Sequence, residues 1–168
     1  MNNLKILIFF ALAFNLAHGQ TKSEIKEAQY AKIKELIASG EFVFVADRAI
    51  PRGGSSISLV TNPNYLKVVK DSTTAYMPFF GERFAGGGFG EPGAITFETI
   101  IEDLVVHYND KKDKITFKFS ANNDYDRFGL VLEIGRSGWA NLRIRSIDRS
   151  TIGYYGRVMK VENNPANP

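Results

Sequence analysis

Residues 127–146, RFGLVLEIGRSGWANLRIRS, contain two runs in which apolar side chains occupy every second position. The apolar positions are Phe128, Leu130, Leu132 and Ile134 in the first run and Ala140, Leu142 and Ile144 in the second. A period of two is typical of β-strands with one buried face, and Gly135-Arg136-Ser137-Gly138 between the runs has the composition of a turn. The stretch therefore predicts an antiparallel hairpin.

The alternation also restricts the register of this hairpin. A shift of one residue would move every side chain to the opposite face of the sheet. Only registers that place Leu130 and Leu132 beside Leu142 and its neighbours keep the apolar side chains together. In such a register the two arginines of the second strand share the outer face with Glu133.

Eight further short runs with strand character are distributed over the rest of the chain, and turn-like residues separate them. They are residues 42–46, 56–61, 65–70, 75–80, 94–101, 104–108, 114–120 and 152–161. Because no helical crossover intervenes, the strands should form an antiparallel meander. A sheet with this many strands is expected to curl into a barrel or a strongly bent sheet.

One helix is predicted before the strands, from about Ser23 to Ser39. Thr21 and Glu24 have the spacing of a capping box, and Gly40 can supply the left-handed residue that ends a helix. Apolar side chains recur at helical intervals at Ile25, Ala28, Ile33, Leu36 and Ile37. The predicted fold class is therefore mostly β, or α+β, with an N-terminal amphipathic helix packed on the antiparallel meander.

The first nineteen residues have the pattern of a secretory signal peptide. Lys5 precedes an unbroken apolar run from Ile6 to Phe14, and small residues precede a cleavage point after Gly19. The apolar run is shorter than the roughly 20 residues that a membrane-spanning helix needs. We therefore expect residues 1–19 to be a cleaved signal and the mature protein to have no transmembrane segment.

The rest of the chain has the composition of an exported soluble protein that relies on packing alone. Residues 20–161 are predicted to form one globular β-rich domain, and the polar, proline-containing residues 162–168 a disordered tail. The sequence has no cysteine, so it offers no disulfide and no lipid-attachment residue. We expect a periplasmic or secreted protein that is not a lipoprotein.

The charge pattern gives no indication of nucleic-acid binding. The chain has 21 Lys and Arg against 18 Asp and Glu, and its longest basic run is Lys111-Lys112. This balance provides no basic patch for a phosphate backbone. Arg143, Arg145, Arg149 and Arg157 make the last strands locally basic. A solvated sheet edge is the simpler interpretation of these four arginines, and a site for an anionic partner is the alternative.

The segment from Tyr76 to Gly93 combines large aromatic side chains with many glycines. Its aromatic residues are candidate ligand-binding residues, namely Tyr76, Phe79, Phe80, Phe84 and Phe89. Its glycines are candidate hinges, namely Gly81, Gly86, Gly87, Gly88 and Gly90. The segment is interpreted either as a plug that fills one end of the barrel or as a mobile flap over a ligand pocket. We expect at least one positive φ among Gly81 and Gly86–Gly88.

Three motif-like patterns in the sequence lack the context that their chemistry requires. Residues 88–93 spell G-x-G-x-x-G, but a proline and a predicted strand follow where a dinucleotide site needs a helix. Asn122, Asp124, Asp126 and Glu133 have calcium-loop spacing, but Arg127 stands where that loop requires glycine. His107 is the only histidine after the signal, so no multi-histidine metal site is available. No catalytic residue, metal site or cofactor is predicted.

An ordered set of segments is similar to one known family. The set comprises the N-terminal helix after a signal, Tyr76-Met77-Pro78-Phe79-Phe80-Gly81, the glycine-rich stretch into Ala94-Ile95-Thr96-Phe97, and residues 141–146 and 149–156. Through these segments, residues 42–158 resemble the exported Bacteroidota proteins grouped as domain of unknown function 4251. The resemblance implies an exported protein of this fold and brings no activity, catalytic residue or cofactor. Many of those proteins are lipoproteins with a cysteine at the cleavage site, and this chain departs from them.

Two functional hypotheses follow from the sequence. The first is a non-enzymatic envelope protein that binds a small apolar or amphipathic ligand, or a partner protein, through the five aromatic residues. The second is a hydrolase or sugar-processing enzyme that uses a carboxylate pair drawn from Glu82, Glu91 and Glu98, with His107 as the base. Such an enzyme needs two carboxylates roughly 5–10 Å apart in one pocket.

Overall fold

Ten strands follow one helix in the structure, a computed structural model that describes residues 21–84 and 93–161. The helix is α1 (Lys22–Ala38). The strands are β1 (Glu41–Pro51), β2 (Ile57–Ser58), β3 (Tyr65–Val69), β4 (Ser72–Pro78), β5 (Ala94–Ile100), β6 (Glu102–Asn109), β7 (Lys114–Asn122), β8 (Arg127–Gly135), β9 (Trp139–Ser146) and β10 (Ile152–Lys160). A short 3-10 helix, Asp110–Lys112, connects β6 and β7.

The strands form one antiparallel sheet that is nearly closed as a barrel. The order across the sheet is β5-β4-β3-β1-β10-β9-β8-β7-β6, and β2 pairs with β1. Side-chain hydrogen bonds link β5, at one end of this order, to the last residue of β7 and to the residue after it, next to the other end. The Thr99 hydroxyl donates to Oδ1 of Asn122 at 2.9 Å, and Nδ2 of Asn123 donates to the Thr96 carbonyl at 2.8 Å. The predicted fold class, mostly β with one N-terminal helix on an antiparallel meander, is confirmed.

The hairpin of β8 and β9 has the predicted register. Leu130 lies opposite Ile144 and Leu132 opposite Leu142, and all four side chains are buried. Val131 lies opposite Arg143 on the outer face. The same alternation continues through β7, so Phe117 and Phe119 face the core and stack edge to face at 5.6 Å between ring centroids.

The predicted strand at residues 56–61 is much shorter in the structure. Only Ile57 and Ser58 pair with β1 as a strand, although the amide of the buried Leu59 still donates to the Asp47 carbonyl at 2.8 Å. The chain then turns, and the Asn62 amide donates to the Leu59 carbonyl at 2.9 Å. This turn ends the strand early.

The capping box of α1 is formed as predicted, but the buried face of the helix begins later than its apolar pattern indicated. The Glu24 amide donates to the Thr21 hydroxyl at 3.3 Å, and the Thr21 amide donates to the Glu24 carboxylate at 2.8 Å. Ile25 and Ala28 are exposed, whereas Tyr30 and Ile37 are buried. The first two turns of the helix therefore contribute little to the core.

Tyr30 attaches the helix to one end of the sheet. Its hydroxyl donates to the Lys114 carbonyl at the start of β7, at 3.2 Å. Burial, with the nearby Asp110 carboxylate as a second cause, raises the pKa of Tyr30 to about 12. Ile33 lies beside Gly138 in the turn between β8 and β9. The helix thus packs against the end of the sheet that contains the β6–β7 connection and the β8–β9 turn.

The contact between β1 and β10 brings the two backbones unusually close. A β-bulge in β1 shifts the register between Ala46 and Arg48, opposite Gly156. A Cβ atom at Gly156 would overlap the Val45 carbonyl and would lie 2.6 Å from the Ala46 Cα. The buried Asn64 side chain accepts from the Ala46 amide at 2.6 Å and donates to the Ala46 carbonyl at 2.9 Å. Asn64 lies opposite Ala46 in the β1–β3 register, two residues beyond the last pair, Phe44 and Leu66, so its side chain replaces the backbone partner that β1 lacks next to the start of β3.

We expect Gly156→Ala to lower the free energy of unfolding by about 3 kcal/mol or more, because overpacked cores lose this much when the backbone cannot yield. Gly129→Ala on β8 is the matched control, since nothing lies within 4 Å of an added Cβ there. The control should change stability by less than about 1 kcal/mol. Chemical denaturation of both variants measures the difference, and equal stabilities would refute the role of the close approach.

Candidate functional site

The aromatic segment, defined here as residues 76–84, is attached to the connection between β9 and β10. The Phe84 amide donates to the Asp148 carbonyl at 2.8 Å, and the Ser150 amide donates to the Glu82 carbonyl at 2.9 Å. The Glu82 amide in turn donates to the Ser150 hydroxyl at 3.1 Å. The backbone of the segment is therefore fixed at the end of the sheet opposite α1.

The candidate aromatic residues separate into inward and outward side chains. Phe79 is half-buried and packs against the core. Tyr76, Phe80 and Phe84 are 41%, 40% and 65% exposed, and among the described residues no ring-to-ring contact joins them. Phe89 lies outside the described residues. Phe79 therefore packs against the core, and the rings of Tyr76, Phe80 and Phe84 are accessible to solvent.

Gly81 is required for close packing rather than for a left-handed backbone. It is not among the described glycines with positive φ, which are Gly40, Gly53 and Gly138, so the expected positive φ is not at Gly81 and stays a prediction for residues 86–88. A Cβ atom at Gly81 would overlap the Ser150 hydroxyl and would lie 2.6 Å from Cζ of Phe79. The other candidate hinges, Gly86, Gly87, Gly88 and Gly90, lie outside the described residues.

A buried ion pair lies beneath the aromatic segment. Nε of Arg149 is 3.5 Å from Oδ2 of Asp126, and the two side chains are only 7% and 3% exposed. The same carboxylate oxygen accepts from the Ser146 hydroxyl at 2.6 Å. The Arg149 guanidinium also lies 5.5 Å from the ring centroid of Phe79 and donates to the Ala94 carbonyl at 3.3 Å. The pair therefore connects β5, β8 and the aromatic segment.

The sequence interpretation of these two residues was wrong. Arg149 was grouped with the arginines of a solvated sheet edge, and Asp126 was considered only in a calcium-loop pattern that lacks its glycine, yet both are buried. Moreover, β9 and β10 lie in the middle of the sheet and not at its edge. Strand periodicity ends at Ser146, so no pattern indicated that the chain folds back inward at Arg149.

Tyr154 connects β10 to the aromatic segment through the interior of the barrel. Its side chain is fully buried, and its hydroxyl donates to the Pro78 carbonyl at 2.9 Å. Burial raises the pKa of Tyr154 well above its usual value, and the Arg149 charge opposes part of this rise. The hydroxyl therefore remains a hydrogen-bond donor throughout the physiological pH range.

A groove of about 570 Å³ lies on the outer face of the sheet, across β1, β10, β9 and β8. Its charged lining residues are Arg52, Arg143, Arg145 and Glu133, and Ile50, Pro51, Val131 and Gly153 are among its apolar ones. Of the candidate aromatic residues that the structure describes, none lines this groove. The sequence analysis placed Arg143 and Arg145 on the outer face but did not predict the groove, which also needs β1 and β10.

Comparison with known proteins identifies the family. The family model described as "Domain of unknown function (DUF4251)" matches residues 24–158. The chain belongs to this family. A crystal structure of a DUF4251 family protein from Bacteroides eggerthii DSM 20697 has a similar fold, with a TM-score of 0.61 and 18% sequence identity over 79% of this chain and 88% of that chain. No curated protein gives a significant match.

The metal and carboxylate arrangements considered from the sequence gain no support in this DUF4251 protein. Within residues 21–84 and 93–161 no three metal-ligating side chains cluster. Glu82, Glu98 and His107 are exposed on the aromatic segment, β5 and β6, and none lines the groove. Glu91 lies outside the described residues. In the same ranges, the structure contains no helical segment with the length and apolar character of a membrane span.

We expect Arg149→Met to destabilise this DUF4251 protein by about 3–5 kcal/mol, because it leaves the Asp126 carboxylate buried without its cation. Arg127→Met is the matched control, since Arg127 forms only exposed ion pairs with Glu102 and Asp103. The control should cost less than about 1 kcal/mol. Urea denaturation measures both values, and a small loss for Arg149→Met would show that the pair is not a structural link.

Proposed function

We propose that this protein is an exported, non-enzymatic envelope protein that binds a small apolar or amphipathic ligand through the aromatic segment. The observation that carries the proposal is the exposure of Phe80 and Phe84 on a backbone held by hydrogen bonds to residues 148–150. Large aromatic rings normally seek burial, and a contiguous exposed apolar patch is typical of a binding surface. Tyr76, on the outer face of β4, provides a third accessible ring.

The fixed backbone supports binding by this segment. A ligand that docks on a preorganised surface loses less conformational entropy than one that must order a loop. Phe79, packed on the core beside Arg149, supports the segment from below. Phe89 and the glycines at positions 86–88 and 90, which lie outside the described residues, are assigned to the same proposed site from their sequence alone.

The proposed location rests on the N-terminal sequence. Residues 1–19 have the charge, apolar run and cleavage site of a secretory signal, and the chain has no cysteine for lipid attachment. A soluble protein of the periplasm or the extracellular medium is the corresponding product. A partner protein of the envelope is an alternative occupant of the same rings.

The neutral fluorescent probe N-phenyl-1-naphthylamine tests this proposal. We expect saturable fluorescence enhancement with the wild type, and affinity at least about tenfold weaker in Phe80→Ala/Phe84→Ala, since two ring contacts worth about 0.7 kcal/mol each suffice for that loss. Because both rings are exposed, the double variant should remain as stable as the wild type within about 1 kcal/mol.

Arg143→Gln/Arg145→Gln is the control for this measurement, because it alters the outer groove and keeps the aromatic rings. Native mass spectrometry of protein purified from its own cells then distinguishes a small co-purifying ligand from a partner protein. Absence of saturable probe binding, or equal binding by the double phenylalanine variant, would contradict a ligand site at the aromatic segment.

A further inference from the structure

Three arginines of the outer groove have no anionic partner on the described protein surface. Within residues 21–84 and 93–161, Arg52, Arg143 and Arg145 form no ion pair. Glu133 is the single carboxylate that lines the groove. Like charges placed together repel one another, so this arrangement does not serve the stability of the sheet.

Four other arginines in the described part of the chain have a side-chain partner. Arg127 contacts two carboxylates, Arg136 contacts Asp113 at 3.3 Å, and the Arg157 guanidinium lies 4.0 Å from the ring centroid of Trp139. Arg48 donates to the Ser56 hydroxyl at 2.6 Å. The three groove arginines differ from these four in having no such side-chain partner on the described surface.

The strand register explains why the groove arginines lack partners. Arg143 lies between Gly153 of β10 and Val131 of β8, and Arg145 lies opposite Gly129. A cross-strand neighbour of opposite charge would stabilise an arginine on the outer face, because cross-strand pairs are the unit of sheet stabilisation. Here all three neighbours are uncharged, so the guanidinium groups remain available to a ligand.

The same register gives the groove its floor. Ile50, Gly153, Arg143 and Val131 form one row across β1, β10, β9 and β8. The absence of a side chain at Gly153 leaves a gap between the apolar side chain of Ile50 and the Arg143 guanidinium. A volume of about 570 Å³ is within the range of small-molecule sites.

We propose that this groove binds a small soluble ligand that has a phosphate or carboxylate group and a short apolar part. The anionic group lies between Arg143, Arg145 and Arg52, since guanidinium groups match the oxygens of such anions in a bidentate geometry. The apolar part lies over Gly153, between Ile50 and Val131. The recessed floor favours a small molecule over a flat membrane surface, which cannot reach Gly153.

Hexyl phosphate is the probe that tests this proposal, with binding followed by amide chemical shifts of the full-length mature protein. Saturable shifts are expected at Arg143, Arg145 and Gly153. Affinity should fall at least about tenfold in Arg143→Gln/Arg145→Gln, which removes two charge-assisted contacts. Arg136→Gln is the matched control, because this arginine lies in the β8–β9 turn outside the groove, and its affinity should equal that of the wild type.

Gly153→Val separates shape from charge, because it fills the floor and leaves all three arginines in place. The Cβ atom itself makes only ordinary contacts, 3.7 Å from the Ile50 Cβ, and chemical denaturation checks that the variant stays folded. We expect it to weaken hexyl phosphate binding and to affect inorganic phosphate less.

Three results would overturn the proposal. The first is the absence of saturable hexyl phosphate binding. The second is an equal loss of affinity in Arg136→Gln, which would indicate a general charge effect. The third is binding to phosphatidylglycerol vesicles that depends on Arg143 and Arg145 while hexyl phosphate does not bind. A fourth result, equal affinity for inorganic phosphate and hexyl phosphate, would show that the apolar part of the ligand contributes nothing to binding.

Discussion

The pairing of β1 with β10 joins the two halves of the sheet, and the other features depend on it. On one side of this pair lie β3, β4 and β5, and on the other lie β9, β8, β7 and β6. The pair requires a residue without a side chain at Gly156, while on the other side of β1 the Asn64 side chain completes the hydrogen bonds of Ala46 where β3 ends. One position without a side chain therefore allows the pairing of strands that are more than a hundred residues apart in sequence.

The β1–β10 pair is the joint between the two halves of the sheet, and the two ends of the barrel and its outer face lie in different positions relative to this joint. At one end α1 covers the β6–β7 and β8–β9 turns, where Tyr30 bonds to Lys114. At the other end the buried pair of Arg149 and Asp126 supports the aromatic segment. The outer groove spans the joint itself, because Ile50 belongs to β1 and Gly153 to β10. Loss of the joint would therefore abolish the groove before it disturbed the β8–β9 hairpin.

Local periodicity predicted most of the strands and the β8–β9 register, because apolar alternation and turn residues act over short stretches of chain. Periodicity could not predict which strands meet across long sequence separations. Nothing in the sequence therefore indicated that Ile50 and Arg143 line the same groove. Arg149 and Asp126 were misassigned for a similar reason, since each is buried by a partner that is distant in sequence. Tyr30 was missed because the apolar pattern of the helix was defined by its aliphatic residues alone. Its ring is buried, and its hydroxyl bonds to a backbone carbonyl that no sequence pattern indicates.

Native-state hydrogen exchange of the β1–β10 amides tests most directly whether this pair holds the fold together. If it does, the amides on both sides of the bulge, around Val45 and Gly156, exchange only through global unfolding, with the same free energy as the best-protected amides of β7 and β8. The contrary result is exchange of the β1–β10 amides at a distinctly lower free energy while β7, β8 and β9 stay protected. That outcome would show that the two halves of the sheet are stable independently and that the joint is secondary.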